Sequence, residues 1–189
     1  MKIVTVLGSP RKKGNTATVL GWVEEELAST GQEVDRVNVV DLDLRGCLEC
    51  YTCQSKPDEP GCPQKDDTVA VFRRMMDADA VLYASPLFCW SWSAQIKALI
   101  DRHFCLVTGY GSKDHKSLLQ GKRAALLVTA AGPEEGNADF LTGMFDQLMG
   151  YVSCQTVGKL VVPFCTTPKA IPDTVRQSAR DFAQAISGA

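Results

Sequence analysis

A chain of 189 residues with a formal net charge of −2 has no basic excess with which to hold nucleic acid. None of its apolar runs approaches a membrane span. The length fits one domain over residues 1–189, which buries about 70% of its unfolded surface without help from disulfides. The apolar run at residues 3–7 is shorter than the roughly 7 to 15 residues of a secretory signal core. A cytoplasmic protein is therefore expected, and there thiols stay reduced, so a dense group among the eight cysteines reads as metal or redox chemistry before cross-linking.

Taken in chain order, strands are predicted at 3–7, 34–40, 80–84, 124–129 and 157–162 from their β-branched content and bounding turn residues. Amphipathic helices alternate with them. Their stripes are Val19, Val23 and Leu27; Val69, Phe72 and Met76; Ile96, Leu99, Ile100 and Phe104; Phe140, Met144, Phe145, Leu148 and Met149; and Val175, Phe182 and Ile186. Five such βα units predict a parallel sheet covered by helices on both faces, with ligands at the carboxyl ends of the strands.

Three loops fall at those ends. The first, "GSPRKKGNTATVL", leads from strand to helix and offers backbone N–H groups and hydroxyls to an anion. It is not a nucleoside-triphosphate loop, because five residues separate Gly8 from Gly14 and Asn15 stands where that loop needs lysine. Ser9, Asn15 and Thr16 suit a terminal phosphate, with Arg11 as the added charge; the plainer alternative is that Asn15 or Thr16 caps the helix. The second loop, after Pro86, carries Phe88, Cys89, Trp90 and Trp92, a flat apolar wall for a heteroaromatic ring, or else core residues or a contact between subunits. The third, Thr129, Ala130, Ala131 and Gly132, has side chains small enough for its backbone to approach a ligand. Phosphate nest, aromatic wall and backbone donors together fit flavin mononucleotide (FMN). His103 is expected near a helix C-terminus, its partial charge meeting the dipole, His115 in an exposed loop, and Asp66 and Asp67 at a helix start as caps.

The run "GSPRKKGNT", the later C-x2-C-x2-C, and "SPLFCWSWSAQIKALIDR" resemble the NAD(P)H-dependent FMN reductase superfamily, and within it the iron-sulfur flavoprotein branch. The resemblance implies a flavodoxin-like, doubly wound five-stranded sheet of order 2-1-3-4-5. It implies FMN phosphate at Ser9, Arg11, Gly14, Asn15 and Thr16, and the flavin ring against Pro86, Leu87, Phe88, Cys89 and Trp90 and against the 129–132 loop. Phe88 stands where the family often has tyrosine. The activity implied is oxidation of NAD(P)H with electrons passed to a small acceptor, a quinone or a flavin, by a homodimer or homotetramer. The chemistry then sits on flavin N5 and no catalytic side chain is needed. The shape of the acceptor site is expected to come from segments 89–92, 108–120 and 165–168.

The segment 44–65 interrupts the βα alternation as a cysteine-rich insertion. Cys47, Cys50 and Cys53 have the spacing that directs three thiolates at one 4Fe-4S cluster, and Cys62 follows as a candidate fourth ligand after an eight-residue gap. A zinc site and plain buried thiols remain as alternatives. With a cluster, the second functional reading is an electron-transfer protein that exchanges electrons with redox partners such as a ferredoxin-like protein.

Overall fold

A computed structural model describes residues 1–109 and 111–188; Tyr110, inside the 108–120 segment, and Ala189 lie outside the described residues. The elements are β1 (Lys2–Leu7), α1 (Asn15–Ser29), β2 (Glu33–Asn38), α2 (Thr68–Asp77), β3 (Ala80–Pro86), α3 (Ala94–Asp101), the short pair β4 (Val107–Thr108) and β5 (Lys116–Ser117), β6 (Arg123–Thr129), α4 (Asp139–Tyr151), β7 (Gln155–Val162) and α5 (Asp173–Ser187). The main sheet has the order β2-β1-β3-β6-β7 with every pairing parallel. Counting only its five strands, this is the flavodoxin-like order 2-1-3-4-5.

Both faces of the central strands are buried, which is why they read as continuous apolar runs. Along β1 the pleat sends Val4 and Val6 into one core with Phe72, Met75, Ile96, Leu99 and Phe145, and Ile3 and Leu7 into the other with Leu20, Leu27, Phe182 and Ile186. Helices α1 and α5 thus cover one face, and α2, α3 and α4 the other. The two edge strands carry charge instead, with Asp35 bound to Arg74 on β2 and Lys159 bound to Asp146 on β7, which blunts an edge against pairing with other chains.

Several expectations shift. β2 ends at Asn38, the partner of Leu7, because beyond that point β1 has turned away; Val39 and Val40 enter a 3-10 turn. α2 buries Val71, Phe72 and Met75, leaving Val69 and Met76 half-buried. α4 buries Leu141, Phe145 and Met149, so Phe140 and Met144 face outward, 58% and 37% exposed. His115 is half-buried: its Nε2 donates to Tyr151 O at 2.9 Å and its ring lies edge-on to Tyr151.

His103 is a further correction. It lies past the end of α3 and is 1% exposed, held between Leu99 O (Nδ1, 3.0 Å) and the Tyr83 hydroxyl (Nε2, 2.9 Å). A carbonyl only accepts, so Nδ1 carries the proton and Nε2 accepts from Tyr83. Burial pushes its pKa down to about 4, so the ring is a neutral core group and brings no charge to a helix dipole.

The unfolded chain takes up a proton at this imidazole before the folded one does. Its contribution to stability is therefore full above about pH 6.5 and is lost as the pH falls toward about 4. Denaturant titrations across that window should show a loss on the order of 3 kcal/mol from this group, and His103→Gln should flatten the slope.

Candidate active site

The carboxyl ends of β1, β3, β6 and β7 surround a cleft of about 310 Å³. Its first wall is the loop after β1. Gly8 lets this loop pass against α3: its N–H donates to Ala84 O at 2.7 Å, and a Cβ there would stand 2.8 Å from the Ile96 Cβ. Ser9 Oγ then closes a turn with Arg11, accepting from its N–H at 3.1 Å, and the Gly14 N–H donates to Arg11 O. Gly14 occupies the N-cap of α1 and no side chain caps the helix. The capping alternative for Asn15 and Thr16 is thereby overturned, since they are the first two helical residues. A first turn whose N–H groups no side chain satisfies, opening on a cleft, has donors free to receive an anion. Arg11 lies on the rim, whereas Lys12 is drawn off to Asp41 at 2.9 Å.

Two side chains of this helix turn tie the loops together. Asn15 Nδ2 donates to Cys165 O at 2.6 Å, with Oδ1 buried and unpartnered by protein. The buried Thr16 and Thr129 hydroxyls meet at 2.7 Å. Pro86, Leu87 and Phe88 form the opposite wall, and the Leu87 N–H donates to Thr129 O at 2.9 Å. Phe88 then pairs with Ser91 around a tight turn whose central residues, Cys89 and Trp90, have φ of 48° and 60°. That turn holds both side chains outward: Cys89 is exposed and Trp90 is 58% exposed, and neither lines the cleft. Trp92 folds inward to 5% exposure against Tyr83, so only Phe88 and Trp90 remain of the expected aromatic surface.

Of the third loop, Thr129 and Ala131 line the cleft. Ala130 is buried, its N–H bound to Val162 O, and Gly132 uses its carbonyl to receive the Phe164 N–H. Cys165 and Thr166 complete the lining. Sequence reasoning assigned these two only to the acceptor side; their position just after the last predicted strand was the available signal. Ser85 and Ser93 were missed. Ser93 caps α3 and donates to Gly8 O, while its N–H donates to Ser85 Oγ at 3.2 Å, joining the first two loops. A serine directly before the apolar run of α3 is a cap signature.

A second, smaller pocket gathers Cys47, Cys50, Cys53 and Cys62 around about 20 Å³ of space, together with Cys105, which the spacing argument had not included. Cys53 and Cys105 are buried, Cys62 half-buried, and Cys47 and Cys50 exposed on a loop whose Glu49 and Tyr51 have positive φ. Burial pushes the Cys105 thiol up to about 12, and hydrogen bonding by Thr52 holds the Cys50 thiol below its ordinary value. Arg102, 1% exposed, forms part of the wall. Its Nη1 donates to Arg45 O and Asp66 at 2.8 and 2.7 Å, and its Nη2 to Cys62 Sγ at 3.0 Å. The capping expected of Asp66 and Asp67 is not their role: Asp67 occupies the N-cap of α2 but its side chain accepts from the Asp43 N–H, and Asp66, though it accepts from the Thr68 N–H, has Arg102 as its main partner. Burial works against the Asp66 charge, yet hydrogen bonds from Arg102 and from the Arg45 and Thr68 N–H groups hold its carboxyl below the usual range. In number and chemistry the four thiols fit a thiolate-ligated iron-sulfur cluster. Among the described residues, no three cysteine, histidine or acidic side chains are grouped as a metal site in this closed arrangement.

The sequence profile described as NADPH-dependent FMN reductase matches residues 1–169. Over 189 residues the chain is 32% identical to a protein of Archaeoglobus fulgidus named iron-sulfur flavoprotein, spanning 100% of this chain and 80% of that one. It is 33% identical over 110 residues to an iron-sulfur flavoprotein of Methanocaldococcus jannaschii, 58% of this chain and 55% of that one. Among solved structures, the NAD(P)H:quinone oxidoreductase from Methanothermobacter marburgensis superposes with a TM-score of 0.73 at 18% identity, covering 100% of this chain and 99% of that one. Likeness at that identity speaks to the fold alone.

The close approach at Gly8 makes a direct test of how the first two loops are joined. Gly8→Ala should overpack Ile96 and cost about 1 to 3 kcal/mol of stability, read as a lower denaturant midpoint at unchanged slope.

Proposed function

This chain belongs to the NADPH-dependent FMN reductase family, and from that membership we propose that it binds FMN in the cleft and transfers electrons from NADH or NADPH to a small acceptor, a quinone or free flavin. The observation that carries this reading is the uncapped N-terminus of α1 opening on a cleft that a flat apolar wall closes on the other side. FMN bound there supplies electron exchange through its ring N5. The first-turn N–H groups of α1, Ser9 and Arg11 receive the phosphate, and the helix dipole adds to their attraction. Pro86, Leu87 and Phe88 flank the ring. The Ala131 and Gly132 N–H groups, without a hydrogen-bond partner among the described residues, are offered to the ring edge where negative charge accumulates. Phe88 and Trp90, 47% and 58% exposed, give the rim an aromatic surface that suits a homodimer or homotetramer.

The cysteine pocket favours a second reading, in which the same flavin site works with a 4Fe-4S cluster held by Cys47, Cys50, Cys53 and Cys62. Such a cluster exchanges electrons singly. Its redox partner would then be a protein of the ferredoxin kind, not a quinone. Apolar surroundings and a buried guanidinium suit an anionic cluster, and they are the observation behind this reading.

Arg11→Ala should weaken FMN by roughly tenfold, the equivalent of about 1.4 kcal/mol, while leaving riboflavin nearly unaffected, because only the phosphate meets that charge. Equal losses measured by fluorescence titration would remove the phosphate from this loop. In anaerobic stopped-flow absorbance, the FMN-loaded protein should be bleached by NADH or NADPH and recoloured by a quinone. Bleaching by neither nicotinamide would shift the assignment to the electron carrier.

A further inference from the structure

We propose that Arg102 is the positioning residue of the cysteine pocket: its guanidinium holds the Cys62 sulfur in place as the fourth ligand and makes the bound iron-sulfur cluster easier to reduce. The proposal rests on the cluster reading above and adds to it a residue outside the cysteine motif.

The eight-residue gap before Cys62 sets the problem. Three cysteines in a C-x2-C-x2-C run are placed by one short loop, whereas the fourth follows "QSKPDEPG", which is held at its start by Gln54 Nε2 bonds to Phe104 O and Val107 O and is buried at its end at Pro60 and Gly61. Arg102 acts at that end. It donates to Cys62 Sγ at 3.0 Å, to both carboxylate oxygens of Asp66 at 2.7 and 3.3 Å, and to Arg45 O at 2.8 Å. One side chain therefore joins the residue where the excursion leaves the fold, the residue where it returns, and the candidate ligand between them. The neck is closed further by Arg45 N–H to Asp66 Oδ2 at 3.1 Å, and by the paired bonds of Asp43 with Asp67.

Charge makes the second half of the argument. Arg102 and Asp66 form an ion pair with side chains 1% and 0% exposed. A buried pair of that kind is a weak source of net stability, since desolvation offsets most of the attraction. It does, however, keep a guanidinium charged beside a sulfur. Arg45 and Lys97, by contrast, form exposed pairs with Asp43 and Asp101. Reduction adds one negative charge to a cluster, and a hydrogen-bond donor on a ligand sulfur favours the more negative state. A guanidinium also keeps its charge at any working pH, which an ammonium in the same place would not.

The test uses the full-length protein, reconstituted anaerobically with iron and sulfide, in wild type, Arg102→Gln, Arg102→Lys and Cys62→Ser forms. Iron per chain, FMN per chain and the cluster midpoint by electron paramagnetic resonance titration are read together. Wild type should bind about four irons. R102Q should keep its FMN, bind less iron, and show a lower midpoint in the fraction that remains; R102K should fall between the two. Wild-type iron and an unshifted midpoint in R102Q would overturn the role of Arg102 and leave the cluster standing. Wild type that holds FMN but no iron would overturn the cluster and this inference together. If R102Q loses its fold, R102K and C62S decide: less iron and a lower midpoint in R102K with FMN retained support the proposal, whereas wild-type values in R102K, or full iron in C62S, overturn it.

Discussion

All five strands of the main sheet point the same way, and with both faces buried each connection must return over a helix before the next strand begins. Every strand therefore ends at one edge, and the loops after β1, β3, β6 and β7 meet there although they are far apart in the chain. The cleft is the space left between those loops. Its polar character follows from the same constraint: a helix that starts directly after a buried strand presents unsatisfied N–H groups at that edge unless a side chain caps them, and on α1 none does.

Short polar ties join the loops of this edge to one another. Ser93 reaches Gly8, Thr16 meets Thr129, Asn15 holds Cys165, and Leu87 holds Thr129, so each loop of the cleft is bonded to another. Buried ties of this kind are worth little more than about 1 kcal/mol each but cost more when half-made. That asymmetry favours a single arrangement of the loops. By contrast, the Cys89–Trp90 turn is strained, with two residues at positive φ that cost on the order of 1 to 3 kcal/mol each. It persists because the Phe88–Ser91 pairing on either side closes it, and its effect is to hold two side chains away from the cleft at the rim.

The cysteine excursion follows a different logic. It has no strand or α-helix of its own between Asp43 and α2, and it is ordered from its base by a buried ion pair and a zipped neck. Its outer residues, Leu48 and Tyr51, are 68% and 58% exposed. The cleft and the cysteine pocket are built on one scaffold but depend on separate sets of contacts.

Much was legible in the sequence because it was local. Strand and helix alternation follows from periodicities of two and 3.6 residues; the three ligand loops follow from small and polar residues at strand ends; the cysteine run follows from spacing within a single turn. Ten of the fourteen candidate cleft residues line the cleft, and all four candidate thiols line one pocket. What the tertiary structure alone decided lies across long separations or depends on burial. Cys165 joins the cleft through a bond to Asn15 that spans 150 positions, and Arg102 meets Cys62 across 40. Trp90 and Trp92 have the same chemistry, and only the turn between Phe88 and Ser91 sends one outward and the other into the core. His103 has the sequence context of a charged helix end, yet its surroundings in the core leave it neutral. In each case the deciding quantity is how much solvent and which distant partner a side chain meets, and neither is carried by neighbours along the chain.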